Sequence, residues 1–296
     1  MNRNAVIADD KAPLSNAVAP TPAGAPATRL APQPGAAGRP LRAQVPASVI
    51  STLSVLFLTV LWVWVSTSGW LPQGYLPTPS EMGTELQTLF TKGYKSNSIW
   101  QHMGISLFRT LSGFVLGIAV GIPLGLITGY SRVGGAMVSP IMAFIRPIPP
   151  IAFIPMVVLY FGLGETGKVA LIFWTAFNYV HVNAHAGAAG VPIAYQRAAQ
   201  SIGLTRAQTF FRVVLPSAIP QIFTGLKVAM ALSWAVVVAA ELTGAQSGLG
   251  FMISDAALTF RIPAVFIGIA LIGAIGLMLN VMLNVMETWL VHWKGR

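Results

Sequence analysis

The side chains able to do acid–base or metal chemistry are few in this sequence and lie far apart along it. Its 296 residues include 8 acidic residues, 4 histidines and no cysteine. Catalysis or metal binding needs several such groups converging on one place, and a thiolate site needs cysteine. The histidines and acidic residues are instead scattered along the chain, and the one apolar segment with two histidines, His181 and His185, contains no acidic residue. We therefore expect no catalytic residue and no metal site in this chain.

One block has the spacing of a phosphate-binding loop. Residues 162–168 read Gly-Leu-Gly-Glu-Thr-Gly-Lys after an apolar run, but Val169 follows them, where such a loop has Ser or Thr to hold Mg²⁺. The aspartates of the chain, Asp9, Asp10 and Asp255, do not end an apolar strand, as the second Mg²⁺ ligand of such a site would. We therefore do not interpret this block as a nucleotide site.

Arg146 stands inside an apolar segment, next to Pro147, Pro149 and Pro150. A charge within a membrane helix is costly unless it faces a partner or water. Arg146 could attract an anionic group that passes through the membrane, or it could pair with Glu241 or with a backbone carbonyl that the prolines free. We favour the pairing, because charges inside membranes usually find partners.

A later apolar segment carries four polar residues, Asn178, His181, Asn183 and His185. Asn178, His181 and His185 are three or four residues apart, so on a helix they share one face. They could line a polar path through a membrane, or they could form hydrogen bonds between helices. The sequence leaves both interpretations open.

The elements that hold these groups are membrane-spanning helices. Hydrophobic residues make up 54% of the chain and charged residues 9%, and the mean hydropathy is +0.69. This is too apolar for a water-soluble domain. Several apolar runs approach the roughly 20 residues that a helix needs to cross a bilayer. We predict an all-α integral membrane protein with six spans, over about residues 49–70, 105–130, 137–161, 169–188, 217–242 and 264–291.

The ends of the chain and its basic residues predict an orientation. Residues 1–46 are rich in Ala and Pro and lack both apolar periodicity and the apolar core of a signal peptide. We expect a disordered cytoplasmic tail there and a transmembrane domain over residues 47–296. The net charge of +10 comes from basic residues that gather where spans end, which is typical of membrane orientation rather than of nucleic-acid binding. This bias and six crossings place both termini, and the basic loop from Gln196 to Pro216, in the cytoplasm.

Two further patterns concern helices and their packing. Thr78 and Glu81 form the sequence of a capping box, which predicts a short amphipathic helix outside the membrane. Glycine at every fourth position lets another helix approach closely, so such a series predicts a packing stripe. The second predicted span contains one: Gly113, Gly117, Gly121, Gly125 and Gly129.

The loop between the fourth and fifth predicted spans has the pattern of two helices joined by a tight turn. Pro192 suits a helix start, Gly203 suits a left-handed helix end, and Thr205 with Gln208 forms a capping box. We expect Pro216 to end the second helix before the membrane. A DNA-binding helix-turn-helix has similar spacing, but the adjacent spans would hold its recognition helix against the bilayer. Insertion into a groove on a protein partner is the better interpretation, with an ordinary connecting loop as the alternative.

This loop resembles the signature loop of permease subunits of bacterial ATP-binding cassette importers. The matching residues are Arg197-Ala198-Ala199, then Gly203, and after nine residues Val213-x-Leu215-Pro216. The usual first residue of this motif in the family is Glu, where this chain has Arg197. Further blocks are similar to the nitrate, taurine and alkanesulfonate branch, particularly to taurine permeases: residues 76–81, 146–150, 161–168, 239–242 and 248–252.

The resemblance implies a fold, a location and partners. The fold is a six-span type I importer permease with a cytoplasmic helix-turn-helix coupling loop, residues 191–216, in the bacterial inner membrane. In that family the loop docks onto a cytoplasmic ATPase dimer that binds ATP and Mg²⁺, and a periplasmic binding protein delivers the substrate. This chain would then bind no cofactor itself and would hydrolyse no ATP. A second copy of the chain would complete the membrane core.

The residues and the resemblance together give candidate sites and a substrate. The candidate coupling residues are Arg197, Ala198, Ala199, Gly203, Thr205, Arg206, Leu215 and Pro216. The candidates for the translocation pathway or gate are Arg146, Pro147, Pro149, Pro150, Asn178, His181 and Glu241. The expected substrate is a small anionic or zwitterionic organosulfonate, most directly taurine. The alternatives are an importer of nitrate, bicarbonate or another small anion, a secondary transporter, and a membrane enzyme.

Overall fold

The computed structural model describes residues 46–291 apart from residues 71 and 73. The predicted disordered tail therefore lies, except for Pro46, outside the described residues. Contacts divide the chain between Ser54 and Val55, and the helix bundle discussed below is the part from Val55 onward. The regular elements of the described residues are all helices, which confirms the predicted all-α class.

The helices follow one another along the chain with short connections. A 3₁₀ turn, Pro150–Phe153, precedes α5, and a π-helical turn, Phe210–Val214, joins α8 to α9. The α-helices of the described residues are α1 Ala47–Thr67, α2 Pro79–Lys92, α3 Ile99–Tyr130, α4 Arg132–Ile145, α5 Ile154–Phe161, α6 Glu165–Ala189, α7 Ile193–Ser201, α8 Arg206–Thr209, α9 Leu215–Leu242, α10 Leu249–Leu258 and α11 Ile262–Leu290.

Fewer helices than predicted are apolar enough by themselves to cross a membrane. Among the described residues 4 pass by length and composition: Val49–Thr67, α3, the continuous helix Arg206–Leu242, and α11. The bent pair α4 and Pro150–Phe161 makes a fifth if it forms one span. The predicted fourth span is observed as α6, a 25-residue helix whose polar side chains lower its hydropathy. Because α6 packs between α3 and α9, those side chains face neighbouring helices more than lipid.

The contact between α3 and α6 follows the predicted glycine stripe. The two helices run parallel, and a Cβ added at Gly117 would lie 2.5 Å from Cβ of Ala176 and 2.8 Å from the backbone nitrogen of Phe177. The other four glycines of the stripe meet residues of α6 in the same way. The predicted packing stripe is therefore confirmed, and it sets the register between the two helices.

The predicted third span bends sharply. α4 and Pro150–Phe161 meet at an angle of 82°. Pro147, Pro149 and Pro150 explain the bend, because proline cannot donate a helical hydrogen bond and disfavours the helical conformation in the residue before it. The prolines therefore break the predicted third span into two helices.

The predicted end of the second loop helix at Pro216 is wrong. A continuous helix runs from Arg206 to Leu242, and Pro216 lies in the first turn of α9. A proline inside an α-helix loses a hydrogen bond and clashes with the carbonyl four residues earlier. The π-helical turn just before it, in which the backbone N–H of Leu215 donates to the carbonyl of Phe210, accommodates the ring. The loop helix and the fifth predicted span are therefore one element.

Two ends of the bundle can now be defined. α7 and α8 lie at one end, which we call the α7 end, where the Tyr130 hydroxyl at the end of α3 donates to the carbonyl of Arg206 at 3.2 Å. α10 lies at the other, the α10 end, where α2 also packs against α11. The capping box of α2 is present, with Thr78 and Glu81 bonded to each other in both directions, as predicted.

Candidate functional site

The segment between α6 and α9 has the predicted helix–turn–helix form. α7 begins after Pro192, and the turn that follows contains Gly203 at a φ of 84°, in the left-handed region. Thr205 then caps α8: its hydroxyl accepts from the backbone N–H of Gln208 at 3.3 Å, and the Gln208 side chain accepts from the backbone N–H of Thr205 at 2.9 Å. The predicted local structure of this loop is confirmed.

The surface of this segment has the composition of a protein-binding face. Four large apolar side chains are exposed on it, because no helix of the described bundle covers them: Ile193, Tyr195, Ile202 and Phe211. Arg197, Arg206 and Arg212 are exposed among them. Exposed apolar patches with a polar rim usually mark interaction sites, and Tyr, Phe and Arg are enriched there.

The other candidate coupling residues hold this face in place. Ala199 is buried, and the backbone N–H of Leu204 donates to its carbonyl, so a small side chain allows the turn to close. Leu215 and Pro216 are half-buried at the start of α9, while Ala198 is exposed. A cleft of about 790 Å³ runs beside α7, between it and the ends of α3 and α6.

At the α10 end, the interior contains a charge network that includes Glu241 but not Arg146. Glu241 is buried, and its Oε1 lies 2.7 Å from Nη1 of Arg109. The hydroxyl of Ser106 donates to both carboxylate oxygens of Glu241, and the backbone N–H of Gly250 donates to Oε2. The favoured pairing of Arg146 with Glu241 is therefore wrong, because a closer guanidinium already neutralises that carboxylate.

Arg109 was not among the predicted site residues. It is 1% exposed, lies in a strongly apolar helix, and also binds Glu165 through Nε and Nη2, at 2.5 and 2.6 Å. A charge inside a membrane helix usually has a partner. This rule was applied above to Arg146, and the same rule would have predicted a partner for Arg109. The ion pair between Lys227 of α9 and Glu287 of α11 was also not predicted, although both charges lie in apolar helices.

The block that resembles a phosphate-binding loop serves this network. Glu165 begins α6, and the Lys168 ammonium donates to the carbonyl of Leu163 at 2.8 Å and to Glu165 Oε1 at 3.3 Å. The backbone therefore turns at the glycines and places Glu165 against Arg109. The Lys168 ammonium, which would bind a phosphate in a nucleotide-binding loop, is engaged by these two contacts.

The polar face of α6 makes several interhelical contacts. His181 Nε2 and His185 Nδ1 lie 3.3 and 3.1 Å from the hydroxyl oxygen of Thr128 on α3. The Asn183 side-chain oxygen accepts from Gln221 on α9 at 2.9 Å. Asn178 donates within α6, to the carbonyl of Trp174, and its side-chain oxygen has no partner among the described residues. Hydrogen bonding between helices therefore accounts for His181, Asn183 and His185, but not for Asn178.

Arg146 lies beside this face. A cleft of about 160 Å³ is lined by Ser139, Met142, Ala143 and Arg146 from the α4 side and by His181, Val182 and His185 from α6. Pro147, Pro149 and Pro150 form the bend that follows Arg146 and turn the chain away from α4. The structure thus brings Arg146 and His181 together, and places Glu241 and its network at the other end of α9.

Comparisons with known proteins identify this architecture. Residues 121–294 match the model of the family described as "Binding-protein-dependent transport system inner membrane component". The taurine transport system permease protein TauC of Escherichia coli (strain K12) is 38% identical over 257 residues, which cover 86% of this chain and 92% of that protein. The bicarbonate transport system permease protein CmpB of Synechococcus elongatus is 30% identical, with 80% of this chain and 87% of that protein covered.

A solved structure agrees in fold. A chain of the MetNI methionine ABC transporter, in an inward-facing conformation, superposes with a TM-score of 0.56 at 18% identity, covering 67% of this chain and 98% of that one. The bacterial permeases of this kind work with ATPase subunits and substrate-binding proteins. From the matched residues, the relatives and the shared fold it follows that this chain belongs to the family of inner membrane permease subunits of ATP-binding cassette importers.

Proposed function

We propose that this chain is the permease of an importer for a small organosulfonate, most directly taurine, and that residues 191–216 couple it to its ATPase. One observation carries the coupling part: α8, which bears part of the exposed face, is continuous through the π-helical turn with the helix that ends beside Arg109. The permease TauC supports the substrate part. Its importer transports taurine, and the same family includes permeases for other small anions.

The orientation of the chain follows from charge. Arg132, Arg197, Arg206 and Arg212 lie at the α7 end, and none has an ion-pair partner among the described residues. At the α10 end the basic groups Lys95 and Arg261 pair with Asp255 and Glu85, so their charge is compensated. Uncompensated basic residues favour the cytoplasmic side. We therefore propose that the α7 end faces the cytoplasm, where an ATPase dimer can reach it.

The continuous helix gives the coupling its physical basis. A docked ATPase that moves α8 also moves α9, because no loop separates the two. Tyr130 links α8 to the end of α3, and Lys227 links α9 to α11. The helix ends at the buried Arg109–Glu241 pair, so a displacement begun at Arg206 reaches the opposite end of the bundle. In this proposal Glu241 belongs to the gate that opens and closes there.

The partners complete the proposal. Two copies of this chain form the membrane core, two ATPase subunits that bind ATP and Mg²⁺ dock at the α7 ends, and a periplasmic binding protein delivers the substrate. This chain contributes neither a cofactor nor an ATPase site. Native mass spectrometry of the purified complex measures the number of permease copies. A single copy, or a second and different permease, would contradict the homodimer.

The experiment that tests the function is reconstitution of the full complex in liposomes. The ATPase rate is measured with binding protein loaded with taurine, another sulfonate, nitrate or bicarbonate. We expect taurine-loaded protein to raise the ATPase rate and to drive ATP-dependent uptake. Stimulation only by nitrate- or bicarbonate-loaded binding protein would show that this anion, and not taurine, is the substrate. Uptake driven by an ion gradient without ATP would favour a secondary transporter.

A further inference from the structure

The cleft beside α7 lies where the helices α3 and α6 end. Its volume of about 790 Å³ is far more than the roughly 10–15 Å³ that one water molecule needs. α3 is apolar enough to cross a membrane and ends at Tyr130, which lines the cleft. Residues 188–190 line it from the end of α6. The cleft therefore opens where α3 leaves the membrane, at the level of the lipid headgroups.

The charged side chains that line this cleft are both positive. Arg132 begins α4 and Arg206 begins α8, and both are exposed. Neither has an ion-pair partner among the described residues. The sequence has no acidic residue between Glu85 and Glu165, or between Glu165 and Glu241, so the segments that form the cleft supply no carboxylate. An anionic group from outside the chain is therefore the electrostatic complement of the two guanidinium groups.

The hydrogen-bond donors of the cleft suit a phosphate. The planar guanidinium of arginine donates two parallel hydrogen bonds to phosphate oxygens. Gln196 and Gln200, one turn apart on α7, also line the cleft. The Gln196 amide contacts the carbonyl of Val191 at 3.4 Å and retains a second N–H that can donate. Among the described residues no carboxylate lines the cleft to accept the ammonium of a zwitterionic headgroup. The lining therefore favours a headgroup with net negative charge.

An apolar face of α4 leads away from the cleft. Val133 lines the cleft, and Met137, Ile141 and Phe144 follow it at spacings of four, four and three residues, so the four side chains share one face of the helix. Each is more than half exposed. A phospholipid has a charged headgroup followed by apolar chains, which is the same order of chemistry. A soluble anion or an acidic protein side chain has no apolar chain to cover this face.

We propose that the cleft binds the headgroup of an anionic phospholipid, with its phosphate held by Arg132 and Arg206 and an acyl chain along the face of α4 that begins at Val133. Basic pockets between membrane helices bind such headgroups. A phosphate bound there joins the start of α4 to the start of the continuous helix that runs to Leu242. This site goes beyond the proposed function, and only its placement in the cytoplasmic leaflet rests on that proposal.

Native mass spectrometry of the purified permease–ATPase complex, delipidated in detergent, tests this site. The added probes are phosphatidylglycerol, phosphatidylethanolamine with the same acyl chains, and glycerophosphoglycerol, which is the phosphatidylglycerol headgroup without its acyl chains. We expect phosphatidylglycerol to bind the wild type most tightly. Arg132→Gln and Arg206→Gln should each weaken it by about tenfold or more, because a charged hydrogen bond is lost. Arg132→Lys, which keeps the charge but not the planar fork, should weaken it less.

The matched control is Arg212→Gln. It removes an exposed positive charge from the same end of the bundle, but Arg212 does not line the cleft. This variant should bind phosphatidylglycerol as the wild type does. An equal loss for Arg212→Gln and Arg132→Gln would assign binding to the general positive charge of the α7 end and overturn the proposal.

The other probes separate the remaining occupants of the cleft. Glycerophosphoglycerol that binds as tightly as phosphatidylglycerol would assign the cleft to a soluble anion. Equal binding of phosphatidylethanolamine would show that the net charge of the headgroup is not recognised. If Arg132→Gln releases the ATPase subunit but binds phosphatidylglycerol as before, the guanidinium contacts an acidic residue of the ATPase. Each of these results would overturn the proposal.

The binding measurement uses neither substrate nor ATP hydrolysis. An importer with a substrate other than taurine would therefore leave its result unchanged. Conversely, a wild-type complex that transports taurine but shows no preference for phosphatidylglycerol would refute the lipid site alone.

Discussion

Arg109 and Glu241 lie side by side in the interior of the bundle, with Nη1 of Arg109 2.7 Å from Oε1 of Glu241, although 131 residues separate them in the chain. Both side chains are almost fully buried. Such a pair adds little net stability compared with apolar side chains of the same size, but loss of Arg109 leaves the Glu241 carboxylate buried without a counter-charge, and loss of Glu241 leaves Arg109 only the 61% exposed Glu165. The pair therefore fixes how α3 meets α9 and makes each partner necessary.

Replacement of Glu241 by Gln should destabilise the protein strongly. Breaking a buried ion pair costs about 3–5 kcal/mol, so the melting temperature in detergent should fall by several degrees or more. The matched comparison is Glu165→Gln, which removes the 61% exposed carboxylate of the same network and leaves the buried Arg109–Glu241 pair in place. A melting temperature for Glu241→Gln equal to that of Glu165→Gln would show that the buried carboxylate contributes no more to stability than the exposed one.

Alanine at Gly117 should disrupt the contact between α3 and α6. Its Cβ would lie 2.5 Å from Cβ of Ala176, so the two helices must separate, and overpacking of this kind costs about 1–3 kcal/mol. Gly104→Ala, in the same helix but with no atom near its Cβ, should be neutral or slightly stabilising because Ala favours helix. Thermal unfolding of the two variants side by side checks this, and equal stability would refute the packing role of the stripe.

Valine at Gly203 should impair coupling without loosening the core. The residue has a φ of 84°, which a β-branched side chain rarely adopts, while open space surrounds its Cβ position. We expect Gly203→Val to reduce ATPase stimulation by loaded binding protein, and Gly203→Asn, which tolerates the left-handed region, to retain it. If both variants are stimulated as the wild type is, the turn does not need this conformation.

The contacts of Asp255 should make stability depend on acid pH. Hydrogen bonds from Lys95 and Tyr94 lower the pKa of the Asp255 carboxyl below its ordinary value of 3.8, against a smaller effect of burial. A lowered pKa in the folded state means that the stabilisation is complete above the unfolded pKa and is lost as pH falls through the folded pKa. The wild type should therefore exceed Asp255→Asn in melting temperature at pH 7, and the difference should shrink toward pH 3. A difference that is constant with pH would contradict these contacts.

The features that could be predicted from sequence are those that depend on near neighbours. The Thr205–Gln208 capping box, the left-handed Gly203 and the glycine stripe each follow from residues a few positions apart, and their local physics decides the conformation. The partner of Glu241 could not be predicted, because Arg109 and Arg146 were both available and only the packing of α3 against α9 selects one. The continuity of the helix through Pro216 was missed because a π-helical turn makes room for the ring, and no short sequence pattern predicts such a turn.

The polar face of α6 shows the same limit at the candidate site. Helical spacing predicted that His181 and His185 lie on one face, but it could not show that the hydroxyl of Thr128 on α3 contacts both rings. The placement of Arg146 beside His181 depends on the bend after α4, whose angle the prolines allow but do not determine.

In the proposed complex the face formed by α7 and α8 docks onto the ATPase, and site-specific crosslinking tests this docking. The chain has no cysteine, so Ile202→Cys, at a position 79% exposed on the turn, and Phe260→Cys, 86% exposed after α10, each carry a single reactive thiol. Both are labelled with a maleimide photocrosslinker in the assembled complex. We predict that the label at position 202 crosslinks to the ATPase subunit and that the label at position 260 does not. A complex in which position 202 yields no ATPase crosslink, or yields no more than position 260, would contradict docking of the ATPase at α7 and α8.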